Sequence, residues 1–264
     1  LAHLDKHQGA VRGPTDKVDF APAASRGPII ALHQPQAVGL QMDQGLIFGR
    51  ITAGLGGPSV PPRSVLSIHV REPACMSADF TLALNAAQAA AAGQHYPQGA
   101  LYMVATPIGN LADIGLRALH VLGLCDTLAC EDTRHSQGLL RTYGIETGQR
   151  HWLALHQHNE SEATQEVIRR LQAGQRVAYL SDAGTPAISD PGARLAWQVQ
   201  AAGLRVLPLP GASSVTTLLS AAGSPEPEQR GFVFVGFLPT RAGEREASLA
   251  QLAAEPRTQV LLEA

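Results

Sequence analysis

From Gly99 onward the chain alternates short apolar runs with longer amphipathic stretches, and this alternation constrains its fold more than any other feature. LYMVA (101–105), TLACE (127–131), HWLAL (151–155), RVAYL (176–180) and RVLPL (205–209) have the length and composition of buried strands. The stretches between them, 113–123, 133–143, 160–173 and 190–202, carry helical periodicity. A strand, a helix and a second parallel strand join by a right-handed crossover, and repeating the unit places helices on both faces of one sheet. An α/β, doubly wound parallel-sheet domain over 99–224 is therefore expected.

PGASS (210–214) leads into a helix to about Ala222, and SPEPEQ follows as a polar, proline-rich linker. GFVFVGFLP (231–239), a helix over 243–254 and TQVLLEA (258–264) then begin another α/β unit. A unit of about 40 residues has too little apolar surface to fold alone, so a truncated second α/β domain is expected over 230–264. Upstream, Gly, Pro, His and Gln are scattered with no period over most of residues 1–98, and GGPSVPPR (56–63) has the composition of a linker. Met76 opens MSADFTLALNAAQAAAAG, which suits a short Ala-rich helix. Residues 1–98 are thus read as a disordered or non-native extension, with Met76 as the true start.

Composition narrows the function classes. In a chain of 264 residues, 45% apolar residues are enough to build real cores. The formal charge is −2 and no Lys/Arg block stands out, so nothing in the balance announces nucleic acid. Cys75, Cys125 and Cys130 are too few and too irregular for a disulfide framework or a zinc site. They read as packing residues in a reducing compartment. No apolar run reaches the roughly 18 residues of a membrane span, and no basic-then-apolar signal peptide opens the chain. A cytoplasmic protein without a membrane partner is expected.

In a parallel sheet every strand-to-helix loop emerges along the carboxyl edge, where ligands bind. The first such loop, ATPIGNLADIGLRA, makes a tight turn through Thr106, Pro107, Gly109 and Asn110, and Asp113 is placed to cap the next helix. An ordinary strand-to-helix turn explains it equally well. The second, CEDTRHS, sets Glu131 and Asp132 beside Arg134, either as a cap with an ion pair or as a group that orients a polar substrate. In the third, YLSDAGTPAISDPG, Gly184 and Pro186 shape the backbone and Asp190-Pro191 starts a helix. Asp182 and Thr185 carry no such duty and are freer to act on a ligand. The fourth, PGASS, brings Gly211 to a helix N-terminus with Ser213 and Ser214 as hydroxyl donors.

His156 and His158 point to one face of an extended segment, but two ligands without a third do not make a metal site, so no metal is expected. No Ser/His/Asp order and no Cys nucleophile presents itself. Backbone, small residues and hydroxyls, with no fixed cation for a triphosphate, suit a nucleoside-like cofactor of modest charge.

YMVATPIGNLADIGLRAL, CEDTRHSQGLL, YLSDAGTPAISDPG and PLPGASS, in this order and spacing, resemble the tetrapyrrole-methylase superfamily. Within it they are most similar to the branch that methylates a cytidine ribose 2′-hydroxyl in small-subunit ribosomal RNA. The resemblance covers 99–264 and implies a two-domain α/β enzyme with S-adenosyl-L-methionine in the cleft between domains. It implies one cofactor loop at Thr106, Pro107, Gly109 and Asn110, and a second at Asp182, Ala183, Gly184, Thr185, Pro186 and Ile188. Ser213 and Ser214 would sit near the nucleoside end.

The resemblance also implies ribosomal RNA or an assembled small subunit as partner, and a homodimer. A ribose hydroxyl is a poor nucleophile that benefits from a base. Glu131, Asp132 and Asp182 are the candidates, with Arg134 able to hold a phosphate or a base edge; Asp182 ranks first because a capping role is least needed there. Every basic side chain in 99–264 other than histidine is Arg, and these are scattered, so RNA affinity would have to come from a local patch, a missing C-terminal part or a dimer. A uroporphyrinogen or precorrin C-methyltransferase shares fold and cofactor, and a non-catalytic cofactor-binding fragment stands as the alternative from another class.

Overall fold

The computed structural model describes residues 29–33, 47–51, 65–69, 79–156, 158–223 and 231–263. Cys75, Met76, the 56–63 segment and SPEPEQ lie outside the described residues. In chain order the elements are β1 (Ile29–His33), β2 (Ile47–Ile51), β3 (Val65–His69), α1 (Thr81–Ala91), β4 (Ala100–Val104), α2 (Leu116–Leu124), β5 (Thr127–Cys130), α3 (Thr133–Thr142) and β6 (His151–Ala154). They continue with α4 (Glu160–Gln172), β7 (Val177–Leu180), α5 (Gly192–Ala201), β8 (Arg205–Leu209), α6 (Ser214–Ala222), β9 (Phe232–Phe237), α7 (Ala242–Ala254) and β10 (Thr258–Glu263).

Strands β4 to β8 form one sheet in the order β6-β5-β7-β4-β8, parallel throughout, as the alternation predicts. Its three inner strands are buried along their whole length, which explains why they read as unbroken apolar runs. The outer strands β6 and β8 are partly exposed, and β8 tolerates Pro208 because an edge strand has a free hydrogen-bonding side.

Side chains alternate across the sheet. Tyr102, Val104, Leu128, Cys130 and Leu180 pack with α1, α2 and α3 on one face. Leu101, Met103, Ala129, Val177 and Tyr179 pack with α4 and α5 on the other. The buried thiols of Cys125 and Cys130 are unpaired and belong to the first core, in keeping with a packing role, and burial pushes them up to about 12 and about 11.

This winding positions the site. β4 and β5 send their helices to the first face, whereas β7, which lies between them, sends α5 to the other. Crevices therefore open on both sides of the loop that follows β7, the place where an open α/β sheet binds ligands.

The second sheet has the order β2-β3-β1-β10-β9. β9 and β10 are parallel and joined through α7, and β1 lies parallel to β10 with Ile29 opposite Gln259. Three strands thus come from the segment in which the sequence shows no period, and α1 is the Ala-rich helix expected after Met76. Val215 and Leu218 of α6 pack on Val260 and Leu262 of β10, so α6 links the two sheets. Among the described residues no helix is long and apolar enough to cross a membrane.

Candidate active site

The loops after β4, β7 and β8 are fastened into one wall. Val104, Leu180 and Leu209 stand level across the three strands, so the loops leave the sheet side by side. Thr106 and Gly184 exchange backbone hydrogen bonds of 3.0 and 3.1 Å. The Thr106 hydroxyl donates to the Ser181 carbonyl at 3.0 Å, and the Ser181 hydroxyl donates to the Gly184 carbonyl at 2.7 Å. Thr185 donates to the Ala212 carbonyl at 2.9 Å, which joins the third loop to the fourth.

Glycine makes this nesting possible at two positions. Gly184 has φ of 84°, which disfavours a side chain, and an added Cβ would also lie 3.1 Å from Ile108. At Gly211 an added Cβ would meet that of Ala105 at 2.8 Å, so only glycine lets the PGASS loop close onto the end of β4.

Asp190 holds the far end of the third loop. One carboxylate oxygen accepts the Gly192 amide at 2.7 Å and the Tyr179 hydroxyl at 3.0 Å, and the other accepts the Ala187 amide at 2.8 Å. The last bond holds Ala187 at φ of 69°, a conformation rare for a residue with a side chain. Asp190 was expected to cap α5 with Pro191 as its first residue; instead α5 begins at Gly192 with Pro191 at the cap and no side-chain capping bond, and Asp190, one residue earlier, serves the loop. Burial raises its carboxyl, while the three donors pull it down. Tyr179 contributes to this lock, although its place in an apolar run gave no sign of a polar duty.

Two further local expectations are corrected. Asp113 does not cap α2: a short 3-10 turn, Leu111–Asp113, intervenes, and α2 starts at Gly115 without a side-chain cap. Asn110 caps that turn by accepting the Ala112 amide at 3.0 Å. Asp132 does cap α3, accepting the Arg134 and His135 amides at 2.8 and 3.3 Å, but Arg134 forms no ion pair with Glu131 or Asp132 among the described residues. Those amide bonds hold the Asp132 carboxyl below its ordinary value.

The expected site residues therefore divide. Thr106, Pro107 and Pro186 are buried behind the wall, where they shape it. Gly109, Asp182, Ala183, Ile188, Ser213 and Ser214 reach its surface, with Ile188 47% exposed. Ser213 precedes α6 without a side-chain capping bond, so its hydroxyl and the first amides of that helix are available.

Beyond the wall, the edge at β5 and β6 is charged. Glu131 is partly buried, and its carboxyl is pushed up to about 7, chiefly by burial and then by Asp182 and Asp190. Asp182 is exposed at its own surface, but the surrounding loops displace enough water to raise its carboxyl; His135 and the Asp132 amide oppose the rise. Arg134, His135, His156 and His158 are exposed along the same rim, the last two with ring centroids 6.1 Å apart. An open groove lined by His95, Tyr96, His120 and Arg176 lies at the opposite, amino edge of the sheet, away from all four loops.

Residues 100–264 match the family described as Tetrapyrrole (Corrin/Porphyrin) Methylases. The chain is similar to ribosomal RNA small subunit methyltransferase I of Mesorhizobium japonicum, 51% identical over 164 residues, which are 62% of this chain and 54% of that protein. The protein of the same name in Pseudomonas aeruginosa is 51% identical over 166 residues, covering 63% of this chain and 57% of its own length. For that of Escherichia coli O157:H7 the figures are 48%, 166 residues, 63% and 56%. The chain spans about half the length of the curated relatives it matches.

Proposed function

The chain belongs to the tetrapyrrole methylases, and from that premise we propose that it uses S-adenosylmethionine to methylate a cytidine ribose 2′-hydroxyl in small-subunit ribosomal RNA. The observation that carries the reading is the single wall made by the loops after β4, β7 and β8, next to a charged rim on β5. Relatives 48–51% identical that are named as ribosomal RNA methyltransferases support this substrate over a tetrapyrrole.

The wall fits the cofactor. Gly184 and Gly211 remove the side chains that would hold the loops apart, Ser213 offers an uncommitted hydroxyl, and exposed Ile188 gives an apolar surface for a nucleoside base. A carboxylate at Asp182 suits a cationic sulfur better than a phosphate. When bound, S-adenosylmethionine supplies an electrophilic methyl group. The chain's own contribution is alignment: in-line displacement needs nucleophile, carbon and leaving sulfur held in one geometry, and mutually bonded loops keep that geometry without cost at the moment of reaction. Arg134 and His135, exposed at the start of α3, are placed to take RNA phosphates.

A homodimer and a cytoplasmic location complete the reading. Transfer of labelled methyl groups to small ribosomal subunits, free ribosomal RNA and uroporphyrinogen, run side by side, tests it. Label in ribose of small-subunit RNA is expected. Label in the tetrapyrrole alone would replace the reading with C-methylation, and cofactor binding without transfer to any acceptor would leave a binding fragment.

A further inference from the structure

We propose that Glu131 takes the proton from the ribose hydroxyl during methyl transfer, an inference that rests on the reading above. Four carboxylates lie in the second and third loops, and the structure commits two of them elsewhere. Asp132 caps α3 and Asp190 locks its own loop through Tyr179, Ala187 and Gly192; of the other two, Asp182 is exposed whereas Glu131 is partly buried. Glu131 has no hydrogen bond or ion pair among the described residues. This reverses the order read from sequence, in which Asp182 stood first.

Its position fits the task. Cys130 pairs with Leu180, so Glu131 leaves β5 level with Ser181, at the crevice between β5 and β7 and beside the wall. The groups facing Glu131 are Asp182 and Asp190 from the third loop and Tyr179 from β7, with Asp132, Arg134 and His135 following it into α3. Burial and the two aspartates bring the Glu131 carboxyl up to about 7, close to the operating pH, where a base has both occupancy and driving force.

The step balances. The hydroxyl oxygen forms its bond to the methyl carbon as the carbon–sulfur bond breaks, with that electron pair going to sulfur. The hydroxyl proton passes to the Glu131 carboxylate and then to water. One positive charge on sulfur and one negative charge on Glu131 disappear together.

Three measurements on the full chain test the inference. Carbon NMR of labelled glutamate carboxyls, assigned with Glu131→Gln, should show a midpoint near 7; a midpoint in the ordinary glutamate range overturns it. Methyl transfer to small ribosomal subunits should fall at least about 100-fold in kcat for Glu131→Gln, with the rise in rate through neutral pH lost. S-adenosylmethionine affinity by calorimetry should stay within about twofold, since general-base loss acts on the transition state alone. Glu131→Asp should keep the pH dependence at an intermediate rate, which separates proton transfer from a folding defect. Glu131→Gln with wild-type kcat and pH profile overturns the inference while leaving the reading intact. Wild-type protein that methylates no ribosomal RNA removes the reading, and the inference with it.

Discussion

The loops after β4, β7 and β8 bond to one another through backbone groups, glycines and small hydroxyls, whereas the loops after β5 and β6 present side-chain charge to solvent. The first half of the edge is rigid because its polar groups are spent internally. The second is reactive because some of its groups are not: among the described residues Glu131 is unpaired and Arg134 lacks the ion pair its neighbours offer. One edge thus separates holding from reacting. Substitutions in the wall should act on stability and cofactor affinity together, and substitutions on the rim should act on turnover or RNA affinity with stability unharmed.

The largest effect is expected at Gly192. A Cβ there would lie 2.4 Å from the Tyr179 ring and 2.6 Å from the Asp190 carboxylate. Gly192→Ala should cost about 3 kcal/mol in urea unfolding, at the upper end for overpacking, and weaken S-adenosylmethionine binding as the Asp190 lock opens. A variant with wild-type stability would show that the lock gives way freely. Thr106→Val removes one buried hydroxyl while keeping shape, and leaves the Ser181 carbonyl without that donor. About 1 kcal/mol should be lost.

On the rim the sign reverses. The folded-state carboxyl of Glu131 is raised from 4.5 to about 7, so the stability it contributes is fully present below 4.5 and lost as pH rises through about 7. Glu131→Gln, neutral at every pH, should therefore be more stable than wild type by ~1 kcal/mol at pH 8, after allowance for solvent screening, and equal to it at pH 4. Thermal unfolding at the two pH values checks this; equal stability at both would mean that Glu131 ionises freely. The smallest effect on stability, within about 0.5 kcal/mol, is expected for Arg134→Gln. Its signature should be weaker RNA binding with a salt slope shallower by about one, as for the loss of a phosphate contact.

The same division explains how far the sequence could be read. Strands β4 to β8 and helices α2 to α6 follow from apolar runs and periodicity to within a few residues, because burial on two faces writes itself into composition. The start of α5 was legible to within two residues because Asp190 precedes a proline. Asp113 was misread because the 3-10 turn before Gly115 displaces the helix start by a few residues, which no local pattern marks. The pairing of Ile29 with Gln259 links positions far apart in the chain, and a non-local strand pair leaves no period in a segment rich in Gly, Pro and Gln. Site chemistry was harder still. All four carboxylates stand in the quoted loops, but only the hydrogen bonds show that Asp132 and Asp190 are committed, and Tyr179 is invisible as a polar partner until the loop folds back onto it.

The most direct test of a loop-built cofactor site is equilibrium dialysis of S-adenosylmethionine against the wild-type chain and Gly211→Ala, whose new Cβ would lie 2.8 Å from that of Ala105 and push the fourth loop off the wall. Saturable binding at one site per chain is expected for the wild type, with affinity reduced at least about tenfold in a variant that remains folded, a loss of about 1.4 kcal/mol. Absence of saturable binding to the wild type, or equal affinity in the two proteins, would contradict it.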